Sequence, residues 1–142
     1  MNFNDFIRQG KVKLGERDIS LTKSVIEVIK TDIKFLDRLK VDKTSARRLM
    51  CDYYDTLRAV IEAIAALDGI KSYSHEAFTY YLKEKKNEDG IGSKFDRYRK
   101  IRNQLVYYGK NISPEEAKKN IEDIQKLLKI LKEKYLKEVQ HE

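Results

Sequence analysis

The sequence predicts an all-α fold, an antiparallel up-and-down bundle of about five helices. Three observations predict it. Apolar residues recur every three or four positions over several long stretches. One Pro and six Gly in 142 residues leave little material for the many tight turns of an all-β protein. The connections between periodic stretches are short, which favours antiparallel neighbours. The length suits one domain with one core. Residues 1–18 read as an N-terminal arm or short helix, and residues 19–142 as the bundle. No fixed-period repeat points to a solenoid.

Each element has its own local signals. Phe3, Phe6 and Ile7 suggest a short helical turn ended by Gly10, and residues 11–17 read as a loop. From Ile19 to about Lys40, Leu21, Val25, Val28, Ile29, Leu36 and Leu39 form one stripe. A long helix from Ser45 to about Asp68 follows Asp42 and Thr44, two candidate N-caps, and stops at Gly69. Its middle, AVIEAIAAL, is apolar on most sides, as in a helix at the centre of a bundle. Residues 70–74 read as a loop, and Ser74 caps a helix from His75 to about Lys86. NEDGIGS reads as the clearest break in the chain. Ser93 then caps a helix from Lys94 to about Tyr108, with Phe95, Tyr98, Ile101, Leu105 and Tyr108 inward and Gly109 at its end. Ser113-Pro114-Glu115-Glu116 is a capping box with Pro at the first helical position, and opens a last helix reaching Val139.

Several function classes lack their residues. Cys51 is the only cysteine, so neither a disulfide framework nor a cysteine-based zinc site is available within the chain. At a core-like helical position it reads as a small buried hydrophobe. No stretch approaches the roughly 18 apolar residues of a membrane span. MNFNDFIRQGKVK has no apolar signal region, and the expected location is cytoplasmic. Gly-rich phosphate loops, HExxH and GxSxG are missing, so classical nucleotide hydrolase and serine hydrolase chemistry is unsupported; no metal and no cofactor are expected.

The charge is localised. Lys94, Arg97, Arg99, Lys100, Arg102 and Lys110 face Asp96 alone within residues 94–110, five of the net +7. Tyr98, Tyr107 and Tyr108 interleave with them. Cations beside aromatics suit a phosphate backbone with unstacked bases, and a solvated basic helix face is the plainer alternative. Arg97, Arg99, Lys100, Tyr108 and Lys110 are the candidate RNA-binding residues. On the long helix Asp52 and Asp55 share a face, placed for ion pairs with Arg47, Arg48 or Arg58, or to orient Arg102. His75 stands at a helix start, where a hydrogen bond to a neighbouring loop is the simplest role. His141 lies near the C-terminus with no expected role.

Three segments together resemble the HEPN superfamily, the higher eukaryote and prokaryote nucleotide-binding domains. They are ARRLMCDYYD (Ala46 to Asp55), GIKSYSHEA (Gly69 to Ala77) and IRNQLVYYG (Ile101 to Gly109). The resemblance covers about Leu21 to Leu136. It implies a helical bundle that dimerises and, in many members, metal-independent endoribonuclease activity. The family's motif is an Arg, often followed by Asn, with a His four to six residues after the Arg, and its site is assembled across the dimer. Here Arg102 and Asn103 match, and Tyr107 stands in the commonest His slot. A tyrosine of ordinary pKa near 10 is a poor base at neutral pH, whereas a histidine serves as acid or base. The resemblance therefore implies a divergent member that holds RNA and cuts it slowly or not at all, with Arg102, Asn103 and Tyr107 as its catalytic positions and Asp52, Asp55 and His75 supporting them. Arg102 and Tyr107, five apart, are about 140° apart around a helix, so a bend or a second copy is expected to bring them together. The family also includes toxins whose Tyr, two residues past the His, is modified by a nucleotidyltransferase-fold partner. Gly109 occupies that slot. A partner of that fold and a toxin–antitoxin role are implied only in this weakened form. The alternative is a non-catalytic dimerisation or adaptor module that binds a protein or a nucleotide.

Overall fold

A computed structural model describes residues 1–140 and confirms the all-α class; His141 lies outside the described residues. The helices are α1 (Phe3–Arg8), α2 (Ile19–Leu36), α3 (Ala46–Leu67), α4 (His75–Tyr80), α5 (Asp89–Tyr107), α6 (Pro114–Leu131) and α7 (Lys137–Gln140). π-Helical turns at Tyr81–Lys85 and Lys132–Leu136 extend α4 and join α6 to α7. Two short strands, β1 (Val12–Leu14) and β2 (Ile70–Ser72), complete the chain. Among the described residues no helix is long and apolar enough to cross a membrane.

The centre is α3, which packs against α2, α5 and α6. Leu57, Val60, Ile61 and Ala63 are fully buried, as a helix apolar on most sides requires. Phe3 and Phe6 of α1 join the same core, and Asn2 caps α1 by accepting from the Asp5 amide. Ser74 caps α4 and Ser113 caps α6 as their spacing predicts, with Pro114 in the first turn of α6. Asp42 accepts from the amides of Thr44 and Ser45 just before α3.

Buried tyrosines pin the helices to one another. Tyr53 donates to Asp37 at 2.5 Å, Tyr81 to Asp68 at 2.5 Å, and Tyr98 to Asp123. Each phenol buries its ring and spends its one polar atom on a carboxylate of another element. Burial and the neighbouring carboxylate push the Tyr53 hydroxyl up to about 12, and push those of Tyr81 and Tyr98 up as well.

Several local expectations are corrected. Residues 11–17 and 70–74 are not plain loops. Val12 pairs with Ser72 and Leu14 with Ile70 in an antiparallel ladder. The turn into it needs Gly69, whose φ is +71° and whose missing Cβ would lie 2.2 Å from the Gly15 carbonyl oxygen. NEDGIGS is not one long break. Asn87, with φ 54°, ends the π-helical turn, and α5 starts at Asp89. Gly92 lies inside α5, where a side chain is excluded because a Cβ would meet Lys83 Cγ at 2.7 Å and the Thr79 carbonyl oxygen at 3.2 Å. It serves the close crossing of α4 and α5.

The stripe of α2 is rotated from its predicted position. Thr22, Ile26, Ile29 and Leu36 face inward, while Val28 stands 60% exposed and Leu21 and Leu39 are exposed too. Thr22 is tolerated in the core because its hydroxyl donates to the carbonyls of Asp18 and Ala63. On α5, Phe95, Tyr98 and Leu105 are buried as predicted, but Tyr108 is 73% exposed. Its position follows the last helical residue, so the helical period no longer directs it.

Candidate functional site

Arg102 stands on the side of α5 that meets α3. Its side chain is 18% exposed. The guanidinium carbon lies 5.9 Å from the centre of the Tyr54 ring and 5.8 Å from that of Tyr107. Nη2 is 3.7 Å from Asp55 Oδ1, and the buried Nε has no hydrogen-bond partner. The group is thus held by two aromatic faces and a long ion pair. This arrangement leaves N–H donors unspent.

The contact with Tyr107 corrects the expectation that a bend or a second copy must unite these residues. Both belong to one helix of one chain. Tyr107 is the last residue of α5, and the long Arg side chain spans the angular gap.

His75 and two more arginines complete the surroundings. His75 Nδ1 is 3.2 Å from the Tyr54 hydroxyl. Its partner is therefore the long helix and not a neighbouring loop. Burial, and then the charges of Arg58, Arg102 and Arg99, pull the imidazole down to about 4, so it is neutral at pH 7. Arg99, 13% exposed, is turned inward onto Asp96 at 2.8 Å and Glu76 at 3.5 Å. Arg58 pairs with Glu62 at 2.7 Å, and its Nε is also buried without a partner. Arg47 Nε donates to the Leu105 carbonyl at 3.3 Å, fastening the start of α3 to the end of α5.

The carboxylates divide their roles. Asp55 faces Arg102, one of the two alternatives open from the sequence. Asp52 sits 3.5 Å from the exposed Arg48, and burial outweighs that arginine and raises its carboxyl. Beside them, Val28, Phe35, Asp32, Asp52, Asp55 and Ala59 line a groove of about 430 Å³ between α2 and α3. Burial likewise raises the Cys51 thiol, consistent with an inert core side chain.

The remaining candidates spread along α5. Tyr107 and Tyr108 are 68% and 73% exposed at its C-terminal end, followed by the exposed Lys110. Lys100 pairs with Asp96 at 3.1 Å. Arg97 lies over the Tyr98 ring and donates to its hydroxyl at 3.0 Å. Asn103 is half-buried beside Arg102. Tyr54 and Arg58 did not stand out in the sequence as members of this site. An Arg inside an otherwise apolar helix centre, one turn after a Tyr, is the signal that points to them.

No protein-family model, curated protein or solved structure matches this chain. Its chemistry is therefore read from these side chains.

Proposed function

We propose that the chain is a HEPN-like protein that holds RNA on the face around Arg102 and the end of α5, and that cleavage there is weak or lost. The observation that carries this reading is the Arg102 guanidinium, fixed between Tyr54 and Tyr107 with donors left over. Such a fork matches phosphate oxygens and stabilises added charge on a phosphoryl centre. Tyr107 and Tyr108 offer exposed rings on which unpaired bases stack. Metal-independent strand cleavage also needs a proton acceptor at the 2′-hydroxyl and a donor at the leaving oxygen. Tyr107 is ill suited to the first task, and His75 is engaged with Tyr54. Asn103, Asp52 and Asp55 support the arginine and its helix in this reading.

A second reading has its own observation. Val28 and Phe35 are each 60% exposed beside the groove next to Asp55. An apolar strip there suits a protein surface, either a second copy or an adaptor's partner. A homodimer unites both readings, because it would place two Arg102 faces together. A nucleotidyltransferase-fold partner in a toxin–antitoxin pair belongs to this reading through the resemblance alone.

The test is incubation of the full chain with single-stranded and structured RNA in EDTA, beside Arg102→Ala and Arg102→Lys. Binding that falls about tenfold or more in both variants supports the arginine fork. Cleavage in EDTA that disappears in Arg102→Ala shows that catalysis survives. Absence of RNA binding at low salt overturns the RNA reading and leaves the adaptor.

A further inference from the structure

On its α6 side, away from Arg102, α5 borders a second groove of about 330 Å³. Lys94 and Arg97 of α5 and Lys119 and Lys126 of α6 surround it, with Glu122 and Asp123 as the counter-charges. Asp123 is already satisfied, since it accepts from the Tyr98 hydroxyl and from Lys94 at 3.2 Å. Lys119 and Lys126 form no ion pair among the described residues. The lining also includes Asn120, which is 4% exposed and whose amide nitrogen has no hydrogen-bond partner.

A buried amide N–H without an acceptor is costly, and native proteins rarely leave one unanswered. The charges around this one decide what answers it. With Lys94 and Asp123 paired to each other, three cations remain against the one carboxylate of Glu122, a surplus that favours an anion over water. The anion must also be compact and must accept several N–H donors at once.

We propose that this groove binds a phosphate group, with the Asn120 amide donating to one oxygen and Lys119, Lys126 and Arg97 neutralising its charge. The shared chemistry is the tetrahedral phosphate oxyanion, carried either as free phosphate or as one phosphodiester of a bound RNA strand. The buried Asn120 side chain has to turn toward the opening for its amide to reach the bound anion. The groove lies on the α6 side of α5, and its lining includes none of Arg102, Tyr107 and His75.

The test is a titration of the full chain, followed through the backbone amides of Lys119 and Lys126 and the side-chain amide of Asn120 by nitrogen-edited NMR. One arm uses inorganic phosphate against chloride of equal ionic strength, on the parent chain and on Arg102→Ala. The other uses a short single-stranded oligoribonucleotide on the Arg102→Ala background. Saturable shifts with phosphate identify the free ion as a ligand, and saturation with the oligonucleotide alone identifies the backbone. Asn120→Asp, which replaces the donor with a carboxylate, should weaken binding about tenfold or more. The surface double variant Lys119→Ala, Lys126→Ala keeps the core intact and should weaken it as well, so the site stays testable if Asn120→Asp does not fold. Three results overturn the site: no saturable shift with either probe, affinity unchanged in the double variant, or loss of the phosphate titration in Arg102→Ala.

Discussion

The hydroxyl of Tyr54 lies 3.2 Å from Nδ1 of His75, joining the middle of α3 to the first residue of α4. Three other buried tyrosines, Tyr53, Tyr81 and Tyr98, bond to carboxylates, whereas Tyr54 bonds to an imidazole ringed by arginines. Burial and the charges of Arg58, Arg102 and Arg99 hold that imidazole neutral, from an ordinary 6.5 down to about 4. In the unfolded chain it takes a proton at its ordinary value. Between those two values the unfolded state binds more protons, so stability rises with pH across this window. Stability should therefore fall on acidification from 6.5 toward 4, and His75→Gln should flatten that fall. Urea midpoints measured across the window check it. The depressed carboxyls of Asp42, Asp96, Asp123 and Glu88 add a fall of the same sign at the acid end of the window, and the raised carboxyl of Asp52 opposes it, so the difference between His75→Gln and the parent chain isolates the imidazole.

Gly69 sets the turn from α3 into β2. With φ at +71° and the Gly15 carbonyl oxygen 2.2 Å from an added Cβ, a side chain has no room. Gly69→Ala should destabilise the fold by about 2 kcal/mol or more, through strain and loss of the short ladder. Thermal unfolding of the variant measures this. A midpoint equal to that of the parent chain would show that the turn relaxes freely.

Tyr107 is 68% exposed, so its removal should cost the fold little. Tyr107→Ala should weaken single-stranded RNA by about 1–3 kcal/mol if the ring stacks on a base. Fluorescence anisotropy with a labelled oligoribonucleotide, alongside a thermal melt, separates the two effects. Tyr107→His should add metal-independent cleavage, because imidazole titrates near neutrality and is the better proton carrier.

Phe35 stands 60% exposed beside Asp32, Asp52 and Asp55. A homodimer that covers this strip would bury a glutamate at Phe35→Glu against those carboxylates. The variant should then run as a monomer in sedimentation velocity at concentrations where the parent chain is dimeric. A parent chain that is itself monomeric rejects the strip as a self-interface.

Much of the helical framework was legible in the residues. Apolar spacing marked α2, α3, α5 and α6; Ser74 and Ser113-Pro114 marked two starts, and Gly69 one stop. These signals act within one or two turns of backbone, through capping hydrogen bonds, φ preference and the helical period. The Arg102–Asn103 pair and its basic, tyrosine-rich helix were legible on the same terms.

What stayed hidden depended on partners far away in the chain. Val12–Leu14 is a strand because Ile70–Ser72 comes alongside, and a three-residue ladder carries almost no local signal. Gly92 looks like a helix breaker until Thr79 and Lys83 lie against it. Thr22 is inside and Val28 outside because the Ala63 carbonyl of α3 accepts the threonine hydroxyl. The same holds at the site. Residue order set Arg102 and Tyr107 about 140° apart on one helix; the long side chain closes that gap, and packing chose Tyr54 and Asp55 as its other neighbours and drew His75 toward Tyr54. Local propensity decides which segments become helices, while burial and hydrogen-bond satisfaction between segments decide which faces meet.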